Sequence, residues 1–200
     1  MTTITDLRPL HLRALVDAHR IVAAVRPADL TLPTPCTDWD LRALLAHMIG
    51  QNHGFAAAIA DGDAPVESFA PLPPDPDDII GDWTRSADRL TAAFTAAAPD
   101  QQVRLVEISA EQPFPLTMVA MFQLVDTVIH NWDVATTIGM AYRPDDDQLA
   151  ASLGIARQIP DGADRERPGA AFAHAVPATD DPTTTDDWTT TLALLGRQAR

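Results

Sequence analysis

Asp126 and His130 stand four residues apart in the stretch Asp126-Thr-Val-Ile-His130-Asn-Trp132-Asp133. On a helix that spacing stacks a carboxylate and an imidazole on one face. Together they offer one oxygen and one nitrogen donor, a set that suits a divalent metal. The same pair is also the ordinary solvated hydrogen bond of an exposed helix face, so a third donor has to decide between the two readings.

Of the six histidines, His47 is the candidate for that third donor. It falls in a second long helix whose apolar arc is Leu41, Leu44, Leu45, Met48, Phe55 and Ile59. At about 100° per residue His47 lies at the edge of this arc, whereas His53 points away from it, toward solvent. His47, Asp126 and His130 would form a two-histidine, one-carboxylate set suited to Zn²⁺, Ni²⁺ or Fe²⁺. Asp133, three residues past His130, either hydrogen-bonds a ligating imidazole from behind or is a solvated or capping carboxylate. His11 falls on the apolar side of the first helix, as a core histidine or a pocket-lining one. His19 reads as a surface group, and His174 has no visible partner. Trp132 reads as core. Trp39 is a packing residue or part of a pocket wall. Cys36 has no partner nearby in sequence and reads as a small loop residue packed on the helices.

Helices must position these groups. Leu7, Leu10, Ala14, Ala18, Ile21, Val22 and Val25 recur at helical spacing, which predicts a first helix from Asp6 to about Arg26, stopped by Pro27. The second helix is expected to start at Thr37 as N-cap, with Asp38 and Asp40 complementing its dipole. Asp61 to Pro76 carries five prolines and reads as a linker. Its 16 residues can span roughly 50 Å, enough to retrace a helix, so the second and third helices can run parallel. The third helix is expected from Asp77 to Ala98, and Val103 to Ile108 as a short strand or extended loop. The fourth helix is expected to carry Pro115 in its first turn and to continue to Ile138, with Gly139 as a left-handed cap. On it, Met118, Phe122, Val125, Ile129 and Trp132 form an apolar stripe. Gln123, Asp126, His130 and Asp133 form a polar stripe beside that one, leaving Thr127 and Asn131 on the outward side. A fifth helix from Asp145 to Ile159, an extended segment from Ala170 to Val176 and a terminal helix from Asp187 to Gly196 complete the reading. The result is an all-α bundle of one domain, residues 1–200, with a core at about 6–139 and an extension at 140–200.

The bulk properties narrow the function. Net charge is −14, and all 14 basic residues are arginine, which disfavours nucleic acid and anionic membranes as partners. A single cysteine rules out an intramolecular disulfide and any multi-cysteine metal site. The first residues lack a charged-then-apolar leader and no run is long enough for a membrane span, so the cytoplasm is the expected location. There is no phosphate-binding glycine loop, nucleotide fingerprint or Gly-x-Ser-x-Gly elbow.

Thr34-Pro-Cys-Thr-Asp-Trp39-Asp-Leu-Arg-Ala-Leu-Leu-Ala-His47-Met-Ile-Gly50 resembles the opening motif of actinobacterial proteins related to the mycothiol-dependent maleylpyruvate isomerase N-terminal domain. Asp126-Thr-Val-Ile-His130-Asn-Trp132-Asp133-Val-Ala135, followed by Gly139, resembles the second signature of that family. Leu192-Ala-Leu-Leu-Gly-Arg197 resembles its ending. The resemblance implies a DinB-like four-helix bundle, up-down-down-up, with a long crossover between helices two and three. It implies a metal, zinc foremost and otherwise nickel or iron, at the positions of His47, Asp126 and His130. It further implies mycothiol as co-substrate, its sulfur activated by that metal to attack a small electrophilic substrate in a transferase or isomerase reaction. The isomerase itself has Glu where this chain has Asp126, so an ion here would sit nearer the helix or be reached through water. No copy of the isomerase's separate C-terminal domain is recognisable, and the substrate does not carry over. The rival expectation is a non-catalytic metal-binding bundle with a binding or stress-related role; either would be a monomer or homodimer.

Overall fold

The structure, a computed structural model, describes residues 6–36, 38–109, 111–166, 172–178 and 186–198. Its contacts divide the chain into two compact units, Met1–Tyr142 and Arg143–Arg200.

Four long helices build the first unit: α1 (Arg8–Val22), α2 (Leu41–Asp61), α3 (Ile79–Ala96) and α4 (Leu116–Thr137). The first helix is shorter than its apolar spacing predicts. Past Val22 the backbone tightens, Val25 N–H bonding to the Val22 carbonyl, and Pro27–Thr31 forms a 3₁₀ turn. Asp29 anchors that turn by accepting from the Arg26 N–H and guanidinium. The second helix starts at Leu41 rather than Thr37, which lies outside the described residues. Its N-cap is Asp40, whose Oδ1 accepts the Ala43 N–H at 2.8 Å, the usual way of satisfying an orphan first-turn donor. Gly62 ends the helix at φ +82°, a conformation only glycine adopts at little cost.

Cross-helix contacts give the helix directions. Asn52 reaches Ser86 and Ile59 reaches Gln101, so numbers rise together along α2 and α3, which run parallel. Arg8 meets Phe94 while His19 meets Thr84, so α1 opposes α3. Helix α4 opposes α2, because His47 faces Asp126 while Phe55 shares a core with Val119 and Ala120. The order is therefore up-down-down-up. The crossover retraces α2 as its length allows. Phe69 and Ala70 lie against Gly54 and Gly50, where a Cβ would collide, and the Leu72 N–H bonds to the Ala46 carbonyl. A small ladder, β1 (Gln102–Val103) with β2 (Phe114–Pro115), leads into α4. Only the start of the expected 103–108 segment is strand, and Pro115 is the N-cap of α4 rather than part of its first turn. Gly139, at φ +70°, follows α4 as the cap the sequence predicts.

Trp83, Leu41, Leu44, Leu45, Ile59, Leu90, Leu116, Leu124 and Ile129 are among the largest wholly buried side chains. Each aliphatic one contributes about 1.5–3 kcal/mol of transfer free energy. One expectation fails at α4. Thr127 and Asn131, assigned to its outward side, are buried, and Asn131 donates to the Ala14 carbonyl of α1 at 2.9 Å. Helix α4 is packed by both α1 and α2, so the flank that carries Thr127 and Asn131 meets α1 instead of solvent. Met118, Phe122 and Trp132, expected inward, are only half-buried.

In the second unit, α5 (Asp146–Ala156) packs with α6 (Asp187–Leu194). Asp145 and Gln148 form a capping box at α5, and Asp186 caps α6 through the Thr189 N–H. His174 is not partnerless. It lies 2.7 Å from Asp161 and 3.4 Å from Glu166, which stand 13 and 8 residues before it in the sequence. Of the expected extended segment, residues 170–171 lie outside the described residues and 172–176 form no strand. No helix among the described residues is long and apolar enough to cross a membrane.

Candidate metal centre

Helix α4 stacks Asp126 and His130 one turn apart, and the opposing α2 presents His47 to both. His130 Nε2 lies 3.4 Å from Asp126 Oδ1, and His47 Nε2 lies 3.7 Å from the same oxygen. The two imidazoles meet edge to face, their centroids 5.1 Å apart. The three donor atoms all lie within 4.8 Å of one another. A tetrahedral ion with bonds of about 2.0–2.1 Å sets its ligand atoms about 3.4 Å apart, so the separations at Asp126 fit such an ion. The short aspartate reaches both imidazoles directly. The His130 side chain is 2% exposed, while those of His47 and Asp126 keep 19% and 22%, a buried base with one open side.

Asp133 completes the back of the site. Wholly buried, it accepts the His130 Nδ1–H at 2.9 Å. An ionised carboxylate only accepts, so a ring proton belongs on Nδ1, and Nε2 is the ring nitrogen that faces Asp126. This supports the positioning reading of Asp133 over the solvated one.

The loop before α2 supplies two further groups, Trp39, expected as packing or pocket wall, and Cys36, expected as packing. Thr34 Oγ1 donates to the Trp39 and Cys36 carbonyls, and the Trp39 N–H bonds back to the Cys36 carbonyl. The loop so tied lays the Trp39 ring beside both imidazoles, 4.8 Å from His47 and 6.3 Å from His130. Trp39 is therefore a wall of the site. Cys36 Sγ donates to Asp133 Oδ2 at 3.2 Å and lies 4.0 Å from His130 Nδ1. Nothing local in the sequence signals this, because 97 residues separate Cys36 from Asp133. Glu107 was also missed. Gln51, one turn beyond His47, donates to it at 2.9 Å. Loss of solvent raises the Glu107 carboxyl, the Gln51 and His47 interactions oppose that, and Asp126 adds to it.

Electrostatics follow the geometry. Burial pushes Asp126 upward, yet His130 and His47 together hold it far below the ordinary carboxylate range. Burial pushes His130 downward, but Asp126 foremost, with Asp133 and Cys36, raises it well above an ordinary imidazole. The remaining histidines lie elsewhere. His11 is buried against Phe94, and His19 is exposed as expected. His53 is half-buried rather than solvent-facing, with Nδ1 enclosed, because α3 covers that flank of α2.

Residues 12–135 match the mycothiol maleylpyruvate isomerase N-terminal domain. The chain belongs to this family. The matched span takes in His47, Asp126, His130 and Asp133. Two uncharacterised proteins of Mycobacterium tuberculosis, from strains CDC 1551 and H37Rv, are each 26% identical to it over 190 residues, 95% of this chain and 97% of theirs. Among solved structures, the mycothiol-dependent maleylpyruvate isomerase matches with a TM-score of 0.60 at 15% identity, over 78% of this chain and 72% of that one. A histidine-to-alanine variant of that enzyme matches with a TM-score of 0.61 at 16% identity. At these identities the two structures speak for the fold.

Proposed function

We propose that this member of the family binds a divalent metal through His47, Asp126 and His130. It would use it in a mycothiol-dependent transfer or isomerisation on a small electrophilic substrate. The observation that carries the reading is the convergence of two imidazole nitrogens on one carboxylate oxygen, at 3.4 and 3.7 Å, inside the family's matched span. Zinc suits the donor set best. A divalent ion held there supplies the positive charge that keeps a coordinated thiol deprotonated near neutral pH.

The chain's own residues do the rest. Asp133 holds the His130 proton on Nδ1, leaving Nε2 free to donate its lone pair. Trp39 walls one side of the donors and limits water there. The exposed edges of His47 and Asp126 leave the approach for the thiol and substrate. Addition of the thiolate sulfur to a conjugated C=C of the substrate would form one C–S bond, break the C=C π bond and leave its electron pair as an enolate. After rotation about the resulting single bond, that pair would re-form the C=C and expel the thiolate, an isomerisation; capture of the enolate by a solvent proton would instead retain the C–S bond, a transfer.

Two measurements test this. Protein purified without added metal is analysed for bound metals beside the His47→Ala, His130→Ala double variant. The wild type should carry close to one equivalent more than the variant, and equal contents would remove the site. Isomerisation of maleylpyruvate, and thiol consumption with model electrophiles, are then followed in the presence of mycothiol with and without metal. Background rates in both, from a metal-loaded protein, would leave a non-catalytic metal-binding bundle.

A further inference from the structure

Cys36 Sγ, His130 Nδ1 and Asp133 Oδ2 form a second triad on the far side of the His130 ring from Asp126. Their separations are 3.2 Å for sulfur to oxygen, 4.0 Å for sulfur to nitrogen and 2.9 Å for nitrogen to oxygen. Three atoms so spaced surround a point about 2 Å from each, close to the length of a zinc–nitrogen or zinc–oxygen bond and a little short of zinc–sulfur. The donors come from two parts of the fold, the loop before α2 and the fifth turn of α4. His130 and Asp133 are wholly or almost wholly buried, whereas Cys36 is only half-buried and leaves a way in. The chemistry differs from that of the first triad. A thiolate in place of a second imidazole favours thiophilic ions.

We propose that Cys36, His130 and Asp133 form a second position, for a thiophilic divalent ion of the zinc and cadmium class, joined to the first through the His130 ring. The second position stands on its own three atoms and borrows only His130 from the site proposed above. An ion entering it displaces the thiol proton of Cys36 and the Nδ1 proton of His130 to solvent. Three protein donors then hold the ion. With both positions filled, the His130 ring bridges them, Nε2 to the first and Nδ1 to the second.

The experiment is a cadmium titration of the full chain, read by equilibrium dialysis and by the ultraviolet thiolate-to-cadmium charge-transfer band. The chain has a single cysteine, so the band reports Cys36 alone. Wild type should bind two equivalents, with the band developing on one of them. His47→Ala should lose one equivalent and keep the band. Cys36→Ser should lose the band and keep the other equivalent. Zinc added to the cadmium-loaded wild type should bleach the band. Should Cys36→Ser fail to fold, alkylation of wild-type Cys36 replaces it, and cadmium should slow that reaction at least tenfold. One equivalent with no band and no protection overturns the second position while leaving the first intact. No binding at all overturns both.

Discussion

Two histidines of the same bundle are almost completely buried, His130 at 1% exposure and His11 at 2%, and they have opposite characters. His130 lies between Asp126 and Asp133, and the carboxylates raise its affinity for a proton. His11 packs edge-on against Phe94 with a ring separation of 5.3 Å, and its enclosed Nε2 has no hydrogen-bond partner. Burial lowers the His11 pKa to about 4, against an upward pull from Asp126. Burial alone makes an imidazole neutral and inert, and only carboxylates within reach make it a charged or ligating group. Their contributions to stability therefore have opposite signs in pH. In metal-free protein, the stability contributed by His130 is complete below the ordinary imidazole pKa and is lost as pH rises through its raised value. The stability contributed by neutral His11 is lost as pH falls.

The largest effect should come from His130→Leu. The substitution takes the imidazole away from both Asp133 and Asp126, leaving the Cys36 contact of the one and the His47 contact of the other. Breaking one side of a buried charge network costs about 3–5 kcal/mol, so urea unfolding at neutral pH should show a loss of that size. His11→Leu at the same pH should be close to neutral, since an unpaired polar atom gives way to apolar volume. Equal losses in the two variants would end the contrast.

His11→Leu should instead show itself in acid. The unfolded chain takes up the His11 proton near the ordinary imidazole pKa and the folded chain only near 4. Wild-type stability should fall by about 3 kcal/mol as pH drops from about 6.5 to 4, and the fall should level off below that. The variant should lose most of this slope. Asp126, held low by its imidazoles, adds its own loss only below the ordinary carboxylate pKa, so the two contributions separate along the pH axis. An unchanged slope in His11→Leu would mean that some other group carries the acid limb.

The contrast also shows which features were legible in the sequence. Asp126 and His130 could be placed together because helical periodicity relates residues four apart. His47 could be placed because it interrupts the edge of a regular apolar arc. The crossover was legible because five prolines exclude a helix between Asp61 and Pro76, and length then permits a return path. Periodicity could not reach what depends on a loop's path. Cys36 and Trp39 meet the site through the backbone ties of Thr34, and a period has nothing to say about a proline-rich turn. Nor could one helix's pattern reveal that α4 is covered on two flanks, which is why Thr127 and Asn131 were assigned to solvent. His11 fell on the apolar face, but that no carboxylate hydrogen-bonds its enclosed Nε2 is a three-dimensional fact.

Asp133→Asn narrows the comparison to one atom. Asparagine can still accept the Nδ1–H through Oδ1, so the tautomer of His130 and the fold should survive, while the charge behind the ring disappears. Loss of an outer partner of a ligating histidine typically weakens metal binding about 10–100-fold. Zinc affinity by competition with a chelator should fall by that factor with a near-native unfolding midpoint. Unchanged affinity would mean that the carboxylate serves Cys36 and packing rather than His130.

The smallest expected effect lies at the other histidine. Phe94→Leu removes the ring edge against His11 and part of the core side chain, worth together about 1 kcal/mol. It should leave the His11 pKa near 4, because enclosure by α1 and α3, and not the ring as such, excludes water from Nε2. An NMR titration of the His11 ring protons in the variant checks this. A return toward the ordinary imidazole value would show that Phe94 alone seals the site. Removing one apolar side chain would then suffice to make His11 an ordinary titrating group, whereas changing the character of His130 requires removing a carboxylate.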